Sequence, residues 1–261
     1  MRFVSLVAIA AVMAAAGCTD VRAVNETRED RRDFTFTGDR LVIDSAGTDL
    51  RLVAATSKTG TSKTGTSKTG TSTAGTGRAV EVERSLTGKA TAGDNASWSM
   101  DGATLRLSVT CSGFVPDCGG RHIVHVPTGV AVTVTSDSPV RAVGLGGALT
   151  ATVTDAWLRV EDPSGALRLT AQLNVDVTGA RSTDVAATSS ERNVTLAFAG
   201  APTRVQARAS GNVEVALPGG PETYRVTAAP GRPALRSDPA SQRTVTAAAG
   251  EGHTAQVRKV S

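Results

Sequence analysis

Leu149-Thr150-Ala151-Thr152-Val153, Leu167-Arg168-Leu169-Thr170-Ala171, Val185-Ala186-Ala187-Thr188-Ser189 and Val205-Gln206-Ala207-Arg208-Ala209 read as four versions of one short strand, begun at intervals of 18, 18 and 20 residues. A second series interleaves with them: runs open at Leu158, Val175, Val194 and Val213, at intervals of 17, 19 and 19. Each unit therefore holds two strands and two turns. The turns carry the residues that turns require, in Asp162-Pro163-Ser164-Gly165, Thr178-Gly179, Ala199-Gly200-Ala201-Pro202 and Ser210-Gly211-Asn212. A fixed period near 19 is the mark of stacked rungs. One rung has nothing to bury its apolar stripe against, whereas a stack does. The expected fold is all-β, a two-faced β-solenoid with strands about 4.8 Å apart. Its clearest rungs are 148–165, 166–184, 185–204 and 205–220. Thr244-Val245-Thr246 with Ala255-Gln256-Val257 reads as a capping rung. An antiparallel β-sandwich is the alternative, since turns every 8–12 residues suit that fold too.

The same alternation extends upstream. Leu41 and Ile43, Leu50 and Leu52, Val80 and Val82, Trp98 and Met100, Leu105, Leu107 and Val109, Val124 and Val126, and Val130, Val132 and Val134 all recur with period two. Period two over short runs means half-buried strands. No window beyond the first 17 residues has helical spacing. Aromatic residues make up only 3% of the chain, so Val, Ala, Leu and Thr must build the core, which suits a narrow interior.

The rungs are entered through Val126-Pro127-Thr128-Gly129-Val130-Ala131-Val132-Thr133-Val134. With the opening Asp39-Arg40-Leu41-Val42-Ile43-Asp44 and the late Tyr224-Arg225-Val226, this resembles the bacterial putative-adhesin domain family, over roughly residues 38–260. The resemblance implies a β-solenoid on the outer side of a membrane. It implies no ligand and no catalytic residue. Two features depart from the family pattern, a pentad array and a loop bracketed by cysteines.

The pentad Thr56-Ser57-Lys58-Thr59-Gly60 repeats from Thr61 and Thr66 and decays from Thr71, within a loop insertion spanning 54–78. It has no apolar residue with which to offset the entropy of ordering. It is expected to be an expanded hairpin loop between two strands, where each doubling in length costs only about 0.6 kcal/mol. The alternative is a basic, hydroxyl-rich arm that touches teichoic acid or phosphate.

At the N-terminus, Met1-Arg2 precedes an apolar run from Phe3 to Ala16, then Gly17-Cys18. One charge, an apolar stretch too short to span a bilayer and small residues ending at cysteine describe a lipoprotein signal over 1–17. Cys18 is then the lipidation site, carrying a diacylglyceryl group, and the protein is anchored outside the cytoplasm on the cell membrane. Ala15 stands where such signals usually have Leu, and an ordinary cleaved signal is the alternative. Residues 18–37 are expected to be a flexible polar tether, on the strength of Arg22, Glu26, Arg28, Glu29, Asp30, Arg31 and Arg32.

The net charge of +4 is an uneven one. Arg2 leaves with the signal, and Lys58, Lys63 and Lys68 lie in the pentads, so the folded body is near neutral. That pattern and the scarcity of aromatics exclude a nucleic-acid-binding face. With Cys18 lipidated, Cys111 and Cys118 remain as a pair, and an oxidising compartment permits a disulfide worth about 2.5 kcal/mol. A metal site with the nearby His122 and His125 is the rival. Yet residues three apart on a strand point to opposite faces, so both are read as surface or disulfide-flanking histidines.

Catalytic motifs are sparse. No Gly-x-Ser-x-Gly elbow accompanies His122, His125 or His253. Gly144-Leu145-Gly146-Gly147 precedes a strand and reads as a turn. Asp155, Glu161, Asp162, Asp176 and Asp184 recur on successive rungs, where a polysaccharide-cleaving solenoid would gather carboxylates, but most fall at turns and strand ends. Trp98 and Trp157 are read as core or rim packing, with an aromatic clamp for sugars as the alternative. The expectation is a non-enzymatic surface-binding, adhesion or envelope-structural module without metal or cofactor. Its partners would be the membrane, through its lipid, and a cell-envelope polymer or surface protein. An accessory to a membrane signalling system and a carbohydrate-active enzyme are the other two readings. Deleting Thr56–Gly70 is expected to leave the melting temperature within a few degrees; loss of folding on deletion would make the array structural.

Overall fold

The computed structural model describes residues 26–55, 78–111, 117–231 and 233–260. The N-terminal part supplies β1 (Thr27–Phe36), β2 (Arg40–Ala46), β3 (Asp49–Ala54), β4 (Arg78–Gly88), β5 (Ala96–Asp101), β6 (Thr104–Val109) and β7 (Cys118–Val126). Then follow β8 (Ala131–Ser136), β9 (Val140–Val143), β10 (Leu149–Val153), β11 (Leu158–Glu161), β12 (Leu167–Ala171), β13 (Val175–Ala180), β14 (Asp184–Ser189), β15 (Val194–Phe198), β16 (Arg204–Ala209), β17 (Val213–Pro218), β18 (Arg225–Ala229), β19 (Thr244–Ala248) and β20 (Ala255–Val260). No α-helix occurs among the described residues.

The strands form two ten-stranded sheets. The first runs β1-β4-β7-β3-β9-β11-β13-β15-β17-β20, and the second runs β18-β19-β16-β14-β12-β10-β8-β2-β6-β5. Each rung gives one strand to each sheet, and the rung-to-rung pairing is parallel from β7 through β3 to β20 in the first sheet and from β6 through β2 to β18 in the second, while β1, β4 and β5 are added antiparallel. This is the solenoid, not the antiparallel sandwich.

The apolar series of the sequence stack in register. In the second sheet Leu41, Val132, Leu149, Leu167, Val185, Val205 and Val245 are successive partners. In the first, Leu50, Val140, Leu158, Val175, Val194, Val213 and Ala255 do the same. All are buried, in one continuous core with the inner ladders beside them. Rungs can approach this closely only where turns are bare. A Cβ on Gly165 would overlap the Gly147 carbonyl, and one on Gly147 would overlap that of Val130.

Chain order and stacking order differ at the ends. Rung β6–β7 lies outside rung β2–β3, because β6 pairs with β2 and β7 with β3. The hairpin expected around the pentads is not formed: β3 and β4 flank them, and β7 lies between the two strands. The pentads themselves, residues 56–77 within the expected 54–78 loop, lie outside the described residues, as does Cys18. At the other end β18 covers β19.

The expected tether is corrected from Thr27 onward. Thr27–Phe36 pairs antiparallel with β4 along its whole length, and Phe34 and Phe36, opposite Val80 and Arg78, enter the core. Its charges are held by β4. Arg84 donates to Asp30 at 2.6 Å, and Arg31 pairs with Glu81 and Glu83.

His122 is also corrected. It is fully buried rather than on the surface. Nδ1 lies 3.0 Å from the Thr48 hydroxyl, and Nε2 has no partner among the described residues. Trp98 lies against its ring, with the Arg84 guanidinium 4.3 Å over that indole. Cys111 and Cys118, beside the same end of the stack, are joined in a disulfide with Cα atoms 6.3 Å apart.

Two consequences follow for stability. Gly165→Ala, which forces a methyl into the neighbouring rung's backbone, is expected to lower unfolding free energy by roughly 1–3 kcal/mol, measured by urea denaturation; an unchanged midpoint contradicts the close approach. Burial, then the positive charge of Arg84, depresses the His122 pKa from 6.5 to about 4. The fold therefore favours the neutral ring. Stability is complete above pH 6.5 and declines by about 3 kcal/mol as pH falls through 4. Asp30, held below its ordinary value by the Arg84 hydrogen bond, loses its contribution only at lower pH. Denaturation curves across this window are expected to flatten in His122→Gln; an identical pH dependence in the variant contradicts the assignment.

Candidate functional site

The first sheet presents a band of arginines on its outer face. Outward residues of neighbouring rungs stand side by side, so Arg51 is flanked by Ile123 and Arg141, and Arg141 by Arg51 and Arg159. Like charges at adjacent positions are destabilising. Two of the three are offset by acids: Glu161 accepts from Arg141 at 2.8 Å, and Asp176 lies 3.8 Å from Arg159. Glu161 raises the Arg141 pKa through that hydrogen bond and its charge. Arg51 and Arg121 have no ion pair among the described residues.

A groove of about 300 Å³ opens beside them, lined by Asp49, Arg51, Arg121, Pro139, Arg141 and Trp157 among others. Its volume is at the lower end of the range for small-ligand sites. Trp157 is 37% exposed, the large apolar side chain most open to solvent among the described residues. The Arg159 guanidinium stacks 5.7 Å from its ring centre. Of the two readings of the tryptophans, Trp98 is the packing residue: it is half-buried, edge-on to Phe34 and under Arg84. Trp157 is at the rim of the groove.

The local sequence puts Trp157 there. The residue preceding each first-sheet strand offers its carbonyl to the previous rung. Leu50 N–H donates to Pro139, Val140 to Trp157, Leu158 to Asn174, Val175 to Asn193, and Val194 to Asn212. In the later rungs this column is asparagine. The Asn174 side chain accepts from Asn193 N–H, Asn193 from Asn212 N–H, and Asn212 from Thr254 N–H, at 2.8–3.2 Å. Trp157 occupies the same column without that bond.

The carboxylates considered for catalysis are dispersed. Asp155 and Asp162 take left-handed backbone at turns, with φ of 61° and 49°, a conformation that aspartate tolerates well. Glu161, Asp176 and Asp184 are bound to Arg141, Arg159 and Arg168. His122 and His125 lie on opposite sides of β7, one in the core and the other outward. The outward His125 does meet Glu81 and Glu83, with ligand-type atoms all within 4.8 Å of one another. Arg31, paired with both glutamates, already supplies a cation there. Gly144–Gly147 forms the turn between β9 and β10. The arginine–tryptophan groove was not visible as a site in the sequence. Its signals were Trp157, for which a sugar clamp was the alternative reading, and the place of that tryptophan in a column of asparagines.

No protein-family model and no curated protein matches the chain. Two solved structures align with it. One is a putative cell adhesion protein from Clostridium sporogenes ATCC 15579, at 10% identity over 90% of this chain and 100% of that one, with a TM-score of 0.42. The other is a putative adhesin from Parabacteroides merdae ATCC 43184, at 10% identity over 88% and 96% of the two chains, with a TM-score of 0.29.

Proposed function

We propose that this chain is a non-enzymatic surface-binding module, held outside the cytoplasm by lipid on Cys18, that engages an envelope polymer or surface protein through the outer face of its first sheet. The observation that carries the reading is the groove on that face: unpaired arginines and an exposed tryptophan on a rigid wall of parallel strands. Rigid elements hold a binding constellation better than loops do. The dispersal of the carboxylates into turns and arginine pairs favours binding over glycan cleavage.

The N-terminal signal supports the anchor. With β1 beginning at Thr27, the link from a lipidated Cys18 extends about 30 Å at most. The body is then held close to the bilayer by the same end of the stack that carries the groove. Ligands in the polymer layer next to the membrane are within reach.

Fractionation of cells tests the anchor. Cys18→Ser is expected to move the protein from the membrane fraction to the medium, or to leave an unprocessed precursor. Normal cleavage with undiminished membrane attachment refutes lipidation. Pull-down of the intact lipidated protein from its own envelope tests the binding role, with the Arg51→Gln, Arg121→Gln double variant expected to recover less polymer.

A further inference from the structure

We infer that the groove beside Arg51, Arg121 and Trp157 is a subsite for an acidic sugar, a pyranose bearing a carboxylate or phosphate. The inference rests on the surface-binding reading above and names its ligand class.

Charge is the first support. The parallel strands β7, β3, β9, β11 and β20 carry the arginines Arg121, Arg51, Arg141, Arg159 and Arg258. The last three each have a carboxylate partner on a neighbouring rung, namely Glu161, Asp176 and Glu214. Arg121 and Arg51 have none among the described residues, and both line the groove. Two arginines without an ion pair, beside the Glu161-bound Arg141, stand there with one aspartate, Asp49, the register neighbour of Arg121. Guanidinium groups bind carboxylate and phosphate through paired, parallel hydrogen bonds, so an oxyanion supplies what the fold leaves out.

The tryptophan is the second support, and it is independent of charge. In a chain with 3% aromatic residues, an exposed indole is not spare core material. Trp157 also stands in a column where asparagine makes a structural bond in three successive rungs, and it makes no equivalent one. An indole face packs against the C–H face of a pyranose ring, and Arg159 on the same ring adds to its positive surroundings. Asp49 is placed to accept from sugar hydroxyls. A ring and an anion bound side by side describe an acidic sugar better than a neutral one. A nucleic acid strand would need several stacking platforms in succession, and the groove offers one.

The test uses the full lipidated protein in detergent micelles, titrated with four probes: oligogalacturonate, its neutral oligogalactose counterpart, a phosphodiester-linked galactose-phosphate oligomer and a single-stranded oligonucleotide. Tryptophan fluorescence and calorimetry give the affinity. One or both acidic sugar polymers are expected to bind, and which of them does so identifies carboxylate or phosphate as the anion. Binding weakens between about 50 and 300 mM salt, and the neutral oligosaccharide does not bind. Arg51→Gln and Trp157→Asn each weaken binding about tenfold or more. Trp157→Asn installs the residue that the later rungs already use, so it is expected to melt as the parent does, and it removes the fluorescence change. Equal binding of the neutral sugar, tighter binding of the oligonucleotide, full affinity in both variants, or no binding of either acidic polymer overturns the inference. None of these outcomes alters where Cys18→Ser fractionates, so the ligand and the anchor fail separately.

Discussion

Everything in this molecule depends on the in-register contact between one rung and the next. A rung has only two short strands, each with two or three inward residues, and cannot bury them by itself. Stacked at strand spacing, Leu149 covers Leu167 and Leu167 covers Val185, so each side chain is buried by its equivalent. The same register lines up backbone donors and acceptors. It also fixes the period: a rung with a longer turn must bulge outward to keep its strands aligned. That is why spacing drifts only between 17 and 20 while the partners remain in step.

A stack of this kind has two open ends, and an unpaired edge recruits other chains. The molecule closes each end by a different device. At the N-terminal end the chain doubles back, placing β6–β7 outside β2–β3 and then adding the antiparallel β4 and β1. The outermost strand, β1, is dense in Arg, Glu and Asp, which discourages further pairing. Arg84, His122 and Thr48 make this end of the interior partly polar, with the disulfide alongside. At the C-terminal end, β18 covers the second sheet. The segment after it bonds to the first, with Ala255 N–H donating to Pro230 and Ala234 N–H to Val257.

The outer faces are where stacking leaves freedom. Inward positions are confined to Val, Leu, Ile, Ala and a few others by the narrow core. Outward positions are free of that limit, and some carry charge pairs between neighbouring rungs, as in Arg141–Glu161, Arg168–Asp184 and Arg258–Glu214. On the parallel strands of the first sheet, Arg51 and Arg121 are the arginines without such a partner among the described residues, and with Trp157 they share one groove. A departure from a repeat that costs the core nothing is the kind of position at which a repeat protein gains a binding function.

The rung period, the two alternating series and the inward residues of the rungs were determined by the sequence by itself, because each is a local pattern repeated along the chain; the cysteine pair followed from its count and spacing. Alternation separates inside from outside, and the recurring interval tells which residues lie above one another. The tertiary structure alone decided what depends on strand order. Thr27–Asp33 lacks apolar alternation, since an edge strand keeps its charges in solvent and is held by Arg84 and Glu81, which lie far along the chain. His122 shares the inward face of Val124 and Val126 by the same alternation; what the spacing of β7 does not reveal is that β3 lies beside it, with Leu50 opposite His122. The groove needs β7, β3, β9 and the turn before β11 side by side. Only the rule that each open edge must find a partner brings these separated stretches together.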